Sequence, residues 1–125
     1  MKLSIFATIL SVAAAFFAIA LLFFPVQFLN NFGITLEGGG VITARLYGSA
    51  LSVFAIMSWI NRNIPRSDKS WFGLLFSGIV GNTIAAIILV ISINNGTANS
   101  LAWTSVLIHL FFCIGGAYFA FKKTS

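Results

Sequence analysis

Four long apolar runs constrain this chain more than any other feature. The first is "SIFATILSVAAAFFAIALLFF", residues 4–24, and the second is "VITARLYGSALSVFAIMSWI", residues 41–60. The third is "WFGLLFSGIVGNTIAAIILVISI", residues 71–93, and the fourth is "LAWTSVLIHLFFCIGGAYFAF", residues 101–121. A helix needs about 20 mostly apolar residues to cross a bilayer, and each run supplies them. None alternates in the manner of a membrane β-strand, and each is too long for one. A soluble domain draws about a quarter of its residues from the charged set. Here 7% of the 125 residues are charged and 59% are hydrophobic, so lipid must be the solvent. The sequence predicts an all-α membrane protein, a four-transmembrane-helix bundle forming one membrane domain over residues 1–125. The "MKLS" start and the "AIA" at 18–20 have the look of a secretory signal. The apolar run continues through "LLFF", so this segment is expected to be a retained span.

The connections are short. The first, "PVQFLNNFGITLEGGG" at 25–40, holds Pro25, which can start a helix, and Gly33, which can end one. Phe28, Leu29 and Phe32 fall near one face, which suits a short interfacial helix between the first two spans. An irregular loop dipping its aromatics into lipid fits the same residues. The second connection, "NRNIPRSDK", is polar and basic, and the third, "NNGTANS", is a turn-rich uncharged loop.

Orientation follows from the cations. Lys2 precedes the first span, Arg62, Arg66 and Lys69 lie between the second and third, and Lys122 and Lys123 follow the fourth. With four spans, these six of the seven basic residues share one side, and the loops on the other side hold only Glu37. The positive-inside rule puts that side, with both termini, in the cytoplasm of a bacterial inner membrane. Trp59 and Trp71 at inner span ends and Trp103 at an outer start match interfacial belts. The net charge of +5 is thus a topology signal and gives no reason to expect a nucleic-acid partner.

Each span also carries a line of small or weakly polar residues at helical spacing, the pattern by which membrane helices approach closely. The lines run Ser4, Thr8, Ser11, Ala15, Ala18; then Arg45, Gly48, Ser49, Ser52, Ala55; then Ser77, Gly78, Gly81, Asn82, Ala85; then Ser105, His109, Cys113, Gly116. Gly48, Ser52, Gly78, Gly81 and Gly116 are therefore expected at helix contacts.

Three members of these lines exceed what packing needs: Arg45, Asn82 and His109. At about 1.5 Å of rise per residue, Arg45 lies roughly 6 Å, His109 roughly 12 Å and Asn82 roughly 16 Å from the outer ends. An ionisable group inside a span is a functional candidate because its burial costs a few kcal/mol or more. Arg45 is expected to face the interior and stay charged, with Glu37, Tyr47, Asn82, helix carbonyls or a bound anion as partners. A structural role is as well supported: Arg45 can snorkel outward or pair with Glu37, Asn82 can act as interhelical glue, and His109 can bond a carbonyl or Tyr47.

Missing residues narrow the chemistry. One cysteine makes no internal redox disulfide and one histidine cannot ligate haem twice. No His, Cys and carboxylate set suits a metal, no glycine-rich nucleotide loop precedes a lysine, and no Asp or Glu lies in a span. No cofactor is implied. The "NGT" at 95–97 has the form of a glycosylation acceptor, but in a loop this close to the membrane it is incidental.

A first span that runs into Phe32-Gly33, and a second that carries "ARLYGSAL" and closes with Trp59 and Arg62, resembles small bacterial four-span membrane proteins of the loose DoxX-like kind. The likeness covers most of the chain. It implies a four-helix membrane bundle and brings no catalytic residues. The leading expectation is a non-catalytic integral membrane protein, an accessory or self-associating bundle that binds lipid or a membrane partner, as a homo-oligomer or within a larger membrane complex. The alternative is a minimal transporter or channel for an anion or small neutral solute, with Arg45, Asn82 and His109 lining the path. An enzyme ranks behind both, because His109 has no evident nucleophile or acid beside it.

Overall fold

Each apolar run forms one helix. In a computed structural model, which describes residues 2–65 and 69–122, the helices are α1 (Leu3–Phe23), α2 (Pro25–Asn30), α3 (Gly39–Asn61), α4 (Lys69–Asn94) and α5 (Ala102–Phe121). The predicted class holds: the fold is all-α, and α1, α3, α4 and α5 are each long and apolar enough to cross a membrane. Arg66 and Lys123, two of the cations used to predict orientation, lie outside the described residues.

Proline ends the first span. Pro25 has no N–H to continue the α1 ladder, and it drives the residue before it away from helical geometry. Phe24 accordingly sits at φ −130° and ψ 42°. Pro25 then occupies the first turn of α2, where a missing N–H costs nothing. Gly33 closes this turn with φ 75°. Its N–H bonds Asn30 O at 3.0 Å, and the next amide, Ile34, bonds Leu29 O at 3.1 Å, the paired bonds of a Schellman ending. The predicted short helix therefore exists, but its aromatics have work within the protein. The Phe28 ring meets Phe17 edge-on at 5.7 Å, and Phe16 and Phe32 complete the cluster.

The chain divides into two compact units, Met1–Arg62 and Asn63–Ser125. Each is an antiparallel pair of long helices, and α2 belongs to the first.

In the first unit, α1 and α3 meet through small residues. Gly48 is buried so closely that a Cβ there would stand 3.1 Å from the carbonyl oxygen of Ala18, from Leu21 and from Leu22. Further along, the Ser11 hydroxyl donates across to Ala55 O at 2.7 Å, and both residues are buried. The predicted α3 face through Gly48 and Ala55 is the one used. Ser52 is half-buried and donates to Ser49 O on its own helix at 2.7 Å. The α1 face is turned from the predicted line. Ala7, Leu10, Ala14 and Leu21 are buried along with Ser11 and Ala18, whereas Thr8 and Ala15 are half-buried. Leucines can sit on this face because Gly48 supplies the room from α3.

In the second unit, α4 and α5 pair along their length. Phe72 meets Phe121 at 6.2 Å near one end. Gly116 receives the Ile79 side chain, which a Cβ at Gly116 would approach to 3.2 Å. One predicted contact is corrected here. Within its own unit Gly81 does not lie at the contact with α5, since a Cβ there would meet nothing within 4 Å. Close approach needs a small residue on one side only. Gly116 of α5 provides it, so α4 answers with Leu75 and Ile79 and turns Gly81 away. Gly78 is half-buried and contributes its carbonyl to Asn82.

Trp71, in the first turn of α4, is buried by the protein itself. It is 1% exposed, and its indole N–H donates to Ile64 O at 2.9 Å. Trp59 and Trp103 remain exposed, as belt residues do. The loop from α4 to α5 is closed by Gly96 at φ 79° and by Asn95 and Asn99, whose Oδ1 atoms accept from the amides of Thr97 at 3.1 Å and Leu101 at 2.9 Å.

Candidate functional site

The second unit brings together two of the residues singled out by sequence. His109 Nδ1 lies 2.8 Å from Asn82 Oδ1, joining α5 to α4. Each is half-buried. The same asparagine donates Nδ2–H to Gly78 O, one turn back on its own helix, at 2.7 Å.

This short series fixes hydrogen-bond polarity. The Gly78 carbonyl can only accept, so the amide group of Asn82 must turn its nitrogen toward it. Reversing the amide would set two oxygens against each other. Oδ1 therefore faces His109, and since it too can only accept, Nδ1 must carry the proton. In the neutral ring Nε2 is then a bare lone pair. Among the described residues, no group hydrogen-bonds Nε2.

A second polar contact lies beside the first. Thr83 Oγ1 donates to Ile79 O at 2.8 Å, and Cys113 Sγ stands 3.2 Å from Thr83 Oγ1. The threonine proton is committed to the carbonyl, so the thiol donates to Thr83. Cys113 belongs to the predicted α5 line, one turn beyond His109. Thr83 was missed because it lies one residue off the predicted α4 line, and nothing in the sequence set it above the other hydroxyl residues of the spans.

The remaining candidates lie in the first unit. Arg45 follows Ala44 and precedes Gly48, both buried, but is itself exposed. Adjacent helix positions are about 100° apart, so a face that buries Ala44, Gly48 and Ala55 against α1 turns Arg45 off it. The predicted interior-facing arginine is corrected to this extent: within its own unit it does not point at the partner helix. Tyr47 is 49% exposed and Glu37 is exposed. Glu37 and Arg45 form no ion pair among the described residues. Glu37 O instead accepts from the Gly40 amide at 2.8 Å as α3 begins.

Among the described residues, no three His, Cys, Asp or Glu side chains gather where they could hold a metal. The chemistry at hand is that of neutral hydrogen bonding: a committed donor at Nδ1, an open acceptor at Nε2, and a thiol and hydroxyl one turn away. No protein-family model matches the chain, and no match emerges among curated proteins or solved structures.

Proposed function

We propose that this chain is a non-catalytic integral membrane protein that acts by association, as an accessory or self-associating helical protein bound to lipid or to a membrane partner. The carrying observation is how the spans spend their polar side chains. Thr8, Thr43, Ser52, Ser77, Asn82 and Thr83 each donate to a carbonyl of their own helix. Ser11 donates to the facing helix, and His109 is tied to Asn82. The first six satisfy polar groups within a single helix, and the last two tie one helix to its neighbour. They do not form a nucleophile with its base and acid. The outward surface is apolar at Ile56, Ile88 and Ile114 among many others, which suits lipid or another membrane helix. Native mass spectrometry of the intact protein released from nanodiscs tests this reading. Retained lipid, a second copy or a co-isolated membrane protein is expected, and a bare monomer counts against it.

The same reading puts both termini in the cytoplasm of a bacterial inner membrane. It is supported by the one-sided cations, of which Lys2 and Arg62 fall at one end of the first antiparallel pair, and Lys69 and Lys122 at one end of the second. Labelling of a Pro65→Cys, Cys113→Ala variant from outside the cell would overturn it.

A second reading, a minimal path for an anion or small neutral solute, rests on Arg45, a charge inside a span with no partner among the described residues. If Arg45 attracts an anion, melting temperature should rise with that anion in wild type and in Arg45→Lys, but not in Arg45→Ala. A flat titration in all three removes the reading.

A further inference from the structure

The contacts between α1 and α3 fix how the ends of that pair meet. Ser11 reaches Ala55, and Gly48 reaches Ala18. Both contacts give one antiparallel register, and continuing it to the end of α3 places Arg62 at the level of Ser4. Lys2 then lies about 3 Å further along the axis, at two residues' rise. One end of the first unit thus holds two cations at nearly one level. The one acid of residues 1–62, Glu37, lies at the other end, before α3 begins.

Trp59 holds the guanidinium. Arg62 Cζ stands 3.7 Å from the centroid of the Trp59 ring, and Nη1 donates to Trp59 O at 2.5 Å. The indole is itself 46% exposed, at a span end where aromatic rings meet headgroups. Stacking adds a cation–π attraction, and the carbonyl bond restricts rotation of the plane. Much of the freedom that an arginine gives up on binding an anion is given up already. A guanidinium has five N–H donors and the carbonyl takes one, so a pair of them can still meet two oxygens of one phosphate. Lys2 adds an exposed ammonium on a flexible stem at the same end. A fixed fork, a mobile second cation and an exposed indole together suit a phosphate joined to acyl chains.

We propose that Arg62, set in place by Trp59 and assisted by Lys2, binds the headgroup phosphate of an anionic phospholipid. The inference deepens the association reading and rests on its membrane setting. It names the class of lipid and the residues that hold it, all of which lie within the first unit.

The intact protein, placed in nanodiscs of equal phosphatidylglycerol and phosphatidylcholine and then released, shows its retained lipid by native mass spectrometry. Wild type should retain phosphatidylglycerol in preference. Arg62→Gln should lower that preference about fivefold, which corresponds to roughly 1 kcal/mol per basic residue near an anionic surface. Trp59→Leu keeps the charge but frees the guanidinium, and it should lower the preference too. Lys122→Gln removes one charge from the second unit and should leave the preference unchanged. Added inorganic phosphate should not displace the lipid. The lipid contrast and the phosphate competition are read on wild type, so the proposal stays exposed even if a variant fails to fold. Equal retention of the two lipids overturns the site and leaves the association reading standing. Retention of neither lipid, with no second copy or partner, overturns the site and counts against that reading as well. Equal losses in Arg62→Gln and Lys122→Gln would reduce the site to general attraction between charges and overturn it, as would displacement by inorganic phosphate.

Discussion

The two helical pairs solve the same problem by different means. In the first, α1 and α3 close around one glycine and one backbone-directed hydroxyl: Gly48 against Ala18, Leu21 and Leu22, and Ser11 against Ala55 O. In the second, Gly116 meets a flexible isoleucine, and side chain meets side chain at Asn82–His109 and Thr83–Cys113. A bond to a helix carbonyl uses an acceptor that every helix already presents, so it fixes distance and says little about chemistry. A bond between two side chains requires both residues to be chosen, and it leaves their remaining atoms free for something else. The first pair is thus held through backbone atoms, and the second is the one that carries chemical options.

The sharpest way to break this comparison is Gly48→Leu. Its Cβ would press on a backbone oxygen and on Leu21 and Leu22 at once, and a backbone atom cannot swing away as a side-chain tip can. Overpacking costs about 1–3 kcal/mol and occasionally more, and the upper end is expected here. Thermal denaturation in detergent should show the loss. A variant as stable as wild type would mean that α1 and α3 do not pack through this glycine.

Asn82→Leu should cost less. Interhelical hydrogen bonds in membranes are worth about 0.6 kcal/mol on average and rarely above 2 kcal/mol. The same denaturation should register a drop of that order. A cost matching Gly48→Leu would make the polar pair the main clamp of its unit and overturn the contrast drawn above.

Gly81→Leu should have the smallest effect on the folded chain, since a Cβ there meets nothing within 4 Å. It also sharpens the association reading. If copy number in native mass spectrometry falls while the melting temperature holds, this side of α4 is a contact between molecules. If the melting temperature falls by as much as in Gly48→Leu, Gly81 lies at a contact within the chain after all.

Much of this was legible in the sequence because it follows from composition and local chemistry. Four apolar runs of spanning length dictate four helices, since only internal hydrogen bonding satisfies the backbone in lipid. Pro25 and Gly33 mark where α1 stops and where α2 ends, each through its own φ restriction or freedom. Asn82 and His109 stood out because amides and imidazoles are rare in such runs, and their similar expected depths allowed them to meet. Which side of a helix meets its partner was a different matter. Gly78, Gly81 and Asn82 share a line on α4, but only the presence of Gly116 opposite decided that Ile79 would fill the groove and Gly81 would turn away. Phe28 looked like a lipid anchor until the chain reversal at Phe24 laid it on Phe16 and Phe17. Periodicity fixes the set of faces a helix offers, while the neighbour's shape selects among them, and that shape is encoded dozens of residues away. The same holds for the histidine: its identity was in the sequence, but the proton's position came from Gly78 and Asn82 on another helix.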